Sequence, residues 1–356
     1  MSSDSRIVIF EHYPKLAGAI PRVELGAYPT PVVLLENLAK RIGLEVWMKC
    51  DDRSCARYGG NKSRKMEFAL GYAKSIGKSW IVAPGGIGTN HGVSCAIFAE
   101  MVGLKCAVVL YDQPVVDYVR RNLRLMARFA DAVYYPRRVS LAIPLIACLA
   151  LARGWHPIPP SDARSTIGYV NAAFELKEQI DSGELPRPKA VYVAAGSCGT
   201  LAGLAVGLKI VGLGDMGVVG VQVVDRVVVN KFVVKRFANG AVRMLRSADP
   251  RFPECSLVSG DFVIRREQFG GEYGRPTDEG KSAVELLLDA EGMRFETTYT
   301  GKTWAALIRD AESGRPGPVL FWNTLNFSDL SRHERQADLS KLPRKLRSIA
   351  VDDDEI

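Results

Sequence analysis

The stretch "AVYVAAGSCGTLAGLAVGLKIV", residues 190–211, decides the fold class. Its first seven residues are small, apolar and valine-rich, without the polar alternation of a half-exposed strand, so 190–196 reads as a strand buried on both faces. A glycine turn follows, and 200–211 reads as a helix of small and apolar side chains. Strand, glycine turn and helix in that order open a β-α-β unit, in which successive strands pair in parallel.

The same grammar extends outward in both directions. After it come a strand, "MGVVGVQVV" (216–224), the helices "DEGKSAVELLLDAEG" (278–292) and "KTWAALIRDA" (302–311), and the strand "PVLFW" (318–322). Before it, "SWIVAP" (79–84), "KCAVVLY" (105–111) and "AVYY" (132–135) read as strands. Between and after them lie the helices "HGVSCAIFAEMVG" (91–103), "VVDYVRRNLRLMARFA" (115–130) and, despite its proline, "LAIPLIACLALARG" (141–154). The sequence therefore predicts an α/β protein with two parallel-sheet units covered by helices on both faces.

Composition sets the outer limits. The 356 residues are 47% hydrophobic and 24% charged, the profile of a soluble globular chain long enough for two cores. The net charge of +8 arises from 47 basic against 39 acidic residues spread along the chain. A diffuse positive balance suits small acidic ligands and lacks the concentrated basic face of a nucleic-acid binder. No leader peptide or membrane span is visible, which predicts a cytoplasmic protein. Seven cysteines without a C-x-x-C pair, and only four histidines, give no zinc pattern, so no metal is expected and the thiols are expected to be reduced.

Three glycine turns lead into helices, where aligned backbone N–H groups and the positive end of the helix dipole favour anions. They are "PGGIGTNHG" (84–92), "AGSCGTLAG" (195–203) and "GGNKSRK" (59–65). The first two miss the dinucleotide glycine spacing, and Asn61 breaks the phosphate-loop pattern before Lys62. Lys62 itself stands at a helix entrance, an unfavourable place for a cation. It either reaches into water or has its basicity lowered, and an amine of lowered basicity can form an imine with an aldehyde cofactor.

In order and character, "GGNKSRKMEFAL" (59–70), "GGIGTNHG" (85–92) and "GSCGTLAGLAVGL" (196–208) resemble the aminocyclopropane-carboxylate deaminase and D-cysteine desulfhydrase family of pyridoxal-phosphate enzymes. The resemblance runs from "YPTPVVLLENLAKRIG" (28–43) through "EYGRP" (272–276) and "YTGKTWAAL" (299–307) to about residue 325. It implies a fold like that of the tryptophan synthase β-subunit (fold type II of these enzymes), with pyridoxal 5'-phosphate in the cleft between two domains. A larger domain is expected over 1–65 and 173–340, a smaller inserted one over 66–172, and a tail over 341–356 that frays toward "DDDEI". A small amino-acid substrate and a homodimer are also implied, with no nucleic acid or membrane as partner.

By the same resemblance, Lys62 binds the cofactor covalently and removes the substrate α-proton, and Asn90 meets the cofactor's phenolic oxygen. Gly196, Ser197, Cys198, Gly199 and Thr200 form the phosphate cup. Gly86, Gly88, Thr89, Asn90 and His91 line the substrate carboxylate site, and Tyr273 and Tyr299 are active-site tyrosines. His91 reads equally as a packed ring at a helix start. Cys198, at a helix N-terminus, is expected to have a lowered pKa and to be sensitive to oxidation.

By the same resemblance, Thr300 takes the position that faces the cofactor's pyridine nitrogen. A carboxylate there keeps that nitrogen protonated and makes the ring a strong electron sink, whereas a neutral hydroxyl is expected not to. Threonine thus favours α,β-elimination from a D-cysteine-like substrate by a lyase over hydrolase-type ring opening, with β-replacement and cofactor binding without turnover as alternatives. Thr89 replaces the family's usual serine, Val93 a common arginine, and "NTLN" (323–326) a segment close to "HTGG". The last two changes are expected to remodel the substrate side.

Overall fold

A computed structural model describes residues 5–351. The chain forms two compact units: Met1–Ile20, Gly26–Phe68 and Ser161–Phe327 make the larger, and Pro21–Leu25, Ala69–Pro160 and Ser328–Ile356 the smaller. Among the described residues the ten strands are β1 (Val32–Leu34), β2 (Val46–Cys50), β3 (Trp80–Gly86), β4 (Lys105–Tyr111), β5 (Ala132–Arg137), β6 (His156–Pro157), β7 (Ala190–Ala195), β8 (Gly217–Gln222), β9 (Phe262–Arg265) and β10 (Val319–Asn323). Among the described residues, no helix is long and apolar enough to cross a membrane.

The larger unit is built on a six-stranded sheet in the order β1-β2-β10-β7-β8-β9. Every pairing is parallel except β1 with β2 at the edge. Alternation along β7 sends Val191, Val193 and Ala195 to one core and Ala190 and Tyr192 to the other. Both faces are covered, which is why the run carries no polar alternation. The first core takes the helices Ala163–Asp181, Gly199–Ile210 and Lys231–Ala248; the second takes Glu36–Ile42, Asp278–Glu291 and Thr300–Glu312.

In the smaller unit a parallel sheet, ordered β5-β4-β3-β6, supports the helices Asn90–Met101 and Asp117–Phe129. The helix Val139–Arg153 runs on through Pro144 and packs Ala142 and Leu149 against Val82, Val109 and Trp155.

Several boundaries differ from expectation: residues 66–68 lie in the larger unit and Pro21–Leu25 in the smaller. Residues 161–172 lie in the larger unit, because the helix Ala163–Asp181 packs along Gly199–Ile210 and Lys231–Ala248. Residues 328–340, expected in the larger domain, and 341–351, expected as a tail, both belong to the smaller unit. There Arg121 Nε meets Glu334 Oε1 at 2.8 Å, and the Phe129 and His333 rings lie 5.0 Å apart. The end expected to fray lies outside the described residues from Asp352 onward.

A buried ionic cluster fixes the start of the helix Lys62–Ser75. Arg64 binds Asp51 through Nε and Nη2 (3.0 and 2.8 Å) and Glu175 through Nη1 (2.8 Å), and Lys49 pairs with Glu175 at 2.5 Å. All four side chains are at most 1% exposed. Asp51 also accepts from Tyr169 and Trp322, while Thr30 donates its backbone N–H to Glu175. Burial alone would push the Glu175 carboxyl up, but Arg64 and Lys49 outweigh it and hold it at about 2.

Two cations against two carboxylates balance, so removing one partner strands a charge. Arg64→Leu is expected to cost about 3–5 kcal/mol of unfolding free energy. Glu178→Ala, which breaks the half-exposed pair with Arg6, is expected to cost less than about 1 kcal/mol. Denaturant midpoints compare them directly. The acid response has a definite sign as well: because the folded Glu175 carboxyl titrates below its ordinary value near 4.5, its stabilisation is complete above that pH and drains away toward about pH 2. Glu175→Gln should flatten that part of the stability–pH curve.

Candidate active site

In the larger unit, the turn before Lys62 is shaped by close backbone approaches. A Cβ on Gly59 would stand 1.8 Å from the Asp52 carbonyl oxygen, and Gly60 adopts φ +83°, a conformation glycine takes without strain. Gly60 donates to the Asp51 carbonyl (2.7 Å), Asn61 N–H to the Thr324 carbonyl (3.2 Å), and Gly59 N–H to Asn326 Oδ1 (2.9 Å). The "NTLN" segment, expected to alter the substrate side, therefore braces the lysine turn. Asn323 adds a bond from Nδ2 to Asp52 Oδ1 at 2.8 Å.

Lys62 is the first residue of its helix and half-buried. Its Nζ donates to Asn61 Oδ1 (3.0 Å), and Asn61 Nδ2 donates to Thr200 Oγ1 (3.3 Å). The lysine is thereby tied to the turn after β7, Gly196–Thr200, where Cys198 has φ +67° and the helix Gly199–Ile210 begins. A Cβ on Gly199 would approach Ser161 Oγ to 2.5 Å. Ser161 Oγ stands 2.7 Å from Ser197 Oγ, and Lys65, 1% exposed, donates to both hydroxyls at 2.5 and 3.4 Å.

A glycine helix entrance, two hydroxyls and a buried ammonium group fit a phosphate dianion, which needs both donors and positive charge. Lys65 and Ser161 carry no sequence signal as strong as the glycine turn. Lys65 could have been found from its spacing, three residues after Lys62 and so on a neighbouring helical face. Cys198 departs from expectation: buried to 2% exposure, its thiol is pushed up to about 11, because loss of solvation outweighs the helix-end field.

Tyr299 caps the helix Thr300–Glu312, and its ring lies beside Gly196, 3.4 Å from where a Cβ would stand. Its hydroxyl is 2.5 Å from that of Tyr273. Thr300 Oγ1 donates to Glu296 Oε1 (2.8 Å), and the same carboxylate accepts the backbone N–H groups of Thr298, Tyr299 and Thr300. Fully buried Lys302 donates to the Phe269 carbonyl at 2.7 Å, its amine pushed down to about 8 by burial against the pull of Glu296. Lys62, the 196–200 turn, Tyr299 and Thr300 thus belong to one unit, all at strand ends or helix starts.

In the smaller unit, β3 ends in the second anion turn. Thr89 caps the helix Asn90–Met101 by accepting from Gly92 N–H at 3.1 Å. Glycine at 86 and 88 admits Gln113, whose Oε1 takes the Gly88 N–H at 3.1 Å; a Cβ on Gly86 would stand 2.1 Å from that oxygen. Asn122 Nδ2 donates to Gly88 O and to Asn90 Oδ1, both at 2.8 Å. This bond makes Asn90 Oδ1 an acceptor and turns its NH2 donor the other way, the polarity a phenolate oxygen requires. The His91 ring is buried, with Nε2 2.9 Å from the Ile158 carbonyl and both ring nitrogens 3.7 Å from Cys95 Sγ, as in a packed histidine.

The chain is similar over most of its length to known proteins. The pyridoxal-phosphate-dependent enzyme family matches residues 23–324. D-Cysteine desulfhydrases of Salmonella newport and Salmonella typhi are each 32% identical over 322 residues, covering 85% of this chain and 93% of theirs. Among solved structures, a homologue of ACC deaminase superposes with a TM-score of 0.75 at 28% identity, covering 95% of this chain and all of the other. Threonine deaminase of Solanum lycopersicum shares the fold at a TM-score of 0.60 and 16% identity, covering 92% of this chain and 88% of its own. The chain belongs to the pyridoxal-phosphate-dependent enzymes of fold type II, with pyridoxal 5'-phosphate as its cofactor.

Proposed function

We propose that the protein is a lyase that eliminates a thiol-like β-substituent from a small amino acid of the D-cysteine kind, releasing a keto acid and ammonia. The observation that carries the reading is the pair of joined hydroxyls of Tyr273 and Tyr299, beside the Thr300 that this reading sets against the cofactor's pyridine nitrogen, in a chain 32% identical to D-cysteine desulfhydrases. Hydrolase-type ring opening and β-replacement have no comparable support.

The cofactor, bound at Lys62, supplies an electron sink for charge developing at the substrate α-carbon. Lys62 Nζ takes the α-proton, and the Asn61 carbonyl oxygen, 3.0 Å away, is placed to steady it as an ammonium. Ser197, Ser161, Lys65 and the 199–200 amides hold the phosphate. Asn90, turned by Asn122, donates to the phenolic oxygen. Gly86, Thr89 and their neighbours take the substrate carboxylate, although Gln113 already occupies the Gly88 amide. Of the two joined tyrosine hydroxyls, one donates to the other, leaving the second proton for the departing sulfur. As Cα–H and Cβ–S break, the enamine released reacts with water to give keto acid and ammonia. The same reading includes a cytoplasmic homodimer, which sedimentation velocity tests.

Sulfide and pyruvate release from D- and L-cysteine, β-chloroalanine and aminocyclopropane carboxylate tests the function. D-Cysteine should lead, and efficient ring opening with little sulfide release would displace the reading. Lys62→Ala should fold but carry no borohydride-reducible cofactor adduct by mass spectrometry, and an adduct on Lys65 or Lys302 would move the assignment. Gly199→Val, which collides with Ser161, should lose cofactor on dialysis, at a cost of several kcal/mol from two or three charge-assisted bonds of about 1.5–3 kcal/mol each.

A further inference from the structure

Thr300 Oγ1 lies 2.8 Å from Glu296 Oε1 and 3.3 Å from the Glu296 carbonyl oxygen. A carboxylate and a carbonyl only accept, and a threonine hydroxyl has a single proton. That proton is spent on Glu296, so any third group that approaches Oγ1 meets a lone pair. Glu296 is itself held in place by the N–H groups of Thr298, Tyr299 and Thr300, and a swing away from Thr300 would uncap the helix.

We infer that Glu296 is a positioning residue that fixes the Thr300 hydroxyl as a hydrogen-bond acceptor, so that the cofactor's pyridine nitrogen opposite it is held protonated, as an N–H donor. This rests on the functional reading above, in which Thr300 faces that nitrogen, and it reverses what a neutral hydroxyl implies when considered alone. An unprotonated nitrogen would set lone pair against lone pair, or would require Thr300 to withdraw its proton from the carboxylate.

Two neighbouring positive charges oppose a protonated ring. The helix Thr300–Glu312 presents its N-terminus here, worth about half an elementary charge. Glu296 caps that end with a full negative charge and outweighs it. Lys302, two residues further along the helix, directs its amine to the Phe269 carbonyl. The net balance beside Thr300 Oγ1 therefore favours a proton. Elimination of a thiol proceeds with the nitrogen in either state, so this inference and the assigned reaction stand or fall separately.

The test uses holoenzyme carrying cofactor labelled with 15N at the pyridine position. Its 15N chemical shift separates protonated from unprotonated rings by a wide margin and does not depend on turnover. The wild-type signal should be that of a protonated ring near neutral pH. In Glu296→Gln, which removes the charge and makes one oxygen a donor, the nitrogen's titration midpoint should fall by about one unit, a tenfold change in the protonated ratio. Thr300→Val keeps the Glu296 cap, removes the acceptor and should lower the midpoint at least as far; it decides the matter if the Glu296 variant does not fold. An unprotonated wild-type ring, or midpoints unchanged in the variants, would overturn the inference while leaving the cofactor at Lys62. Absence of any link to Lys62 would overturn both.

Discussion

The larger unit depends on a buried arginine. Arg64 stands two residues beyond Lys62, and its guanidinium is gripped by Asp51, at the end of β2, and Glu175, from the helix Ala163–Asp181. Through Asp51 the grip extends to Trp322 on β10. A well-packed apolar contact can equal a buried ion pair in stability but lacks its directionality. Here direction matters, because a rotation of the helix start would swing Lys62 away from Asn61 and the turn after β7. The fork of Arg64 sets the angle, and the carbonyls of Asp51 and Thr324 set the height of the turn above it.

Residue type alone proves a poor guide to the electrostatics of this site. Cys198 sits where a helix end should favour a thiolate, yet burial keeps it a thiol. Lys302 is a lysine whose burial brings it near neutrality at mildly alkaline pH. Thr300 is uncharged but hydrogen-bonded to a carboxylate, so its hydroxyl has a fixed direction. In each case the second neighbour, or the loss of water, decides the behaviour of the first group.

That is also where sequence reading stops. The strands β4, β7, β8 and β10 fall within one or two residues of expectation, because runs covered on both faces are uniformly apolar. The helix Ala163–Asp181 is far less legible. Its buried face carries Ser165, Thr166, Asn171, Glu175 and Gln179, so polar residues that bond Asp162, Ile9 and the ionic cluster erase the amphipathic pattern. Lys62 and the 196–200 turn stand out through glycine geometry, which is local. Ser161 reaches Gly199 across 38 residues, and Asn122 reaches Asn90 across 32, contacts that only packing creates. Glu296 is hidden for another reason: four residues before Thr300, it reads as one more charged surface side chain.

The strand order has a consequence for how the protein is made. β10, synthesised after every other described strand, lies between β2 and β7 in the middle of the six-stranded sheet. Until residues 319–323 emerge, β2 and β7 have no neighbour to join them, and the nascent chain carries two half-sheets with open edges. The smaller unit waits as well, since two of the helices that pack on Asp117–Phe129 come from residues 331–350. Vectorial synthesis therefore gives this chain little opportunity to fold in instalments. Both units close only once residues 319–350 have emerged, and the exposed strand edges in the interval are where chaperones or aggregation would first take hold.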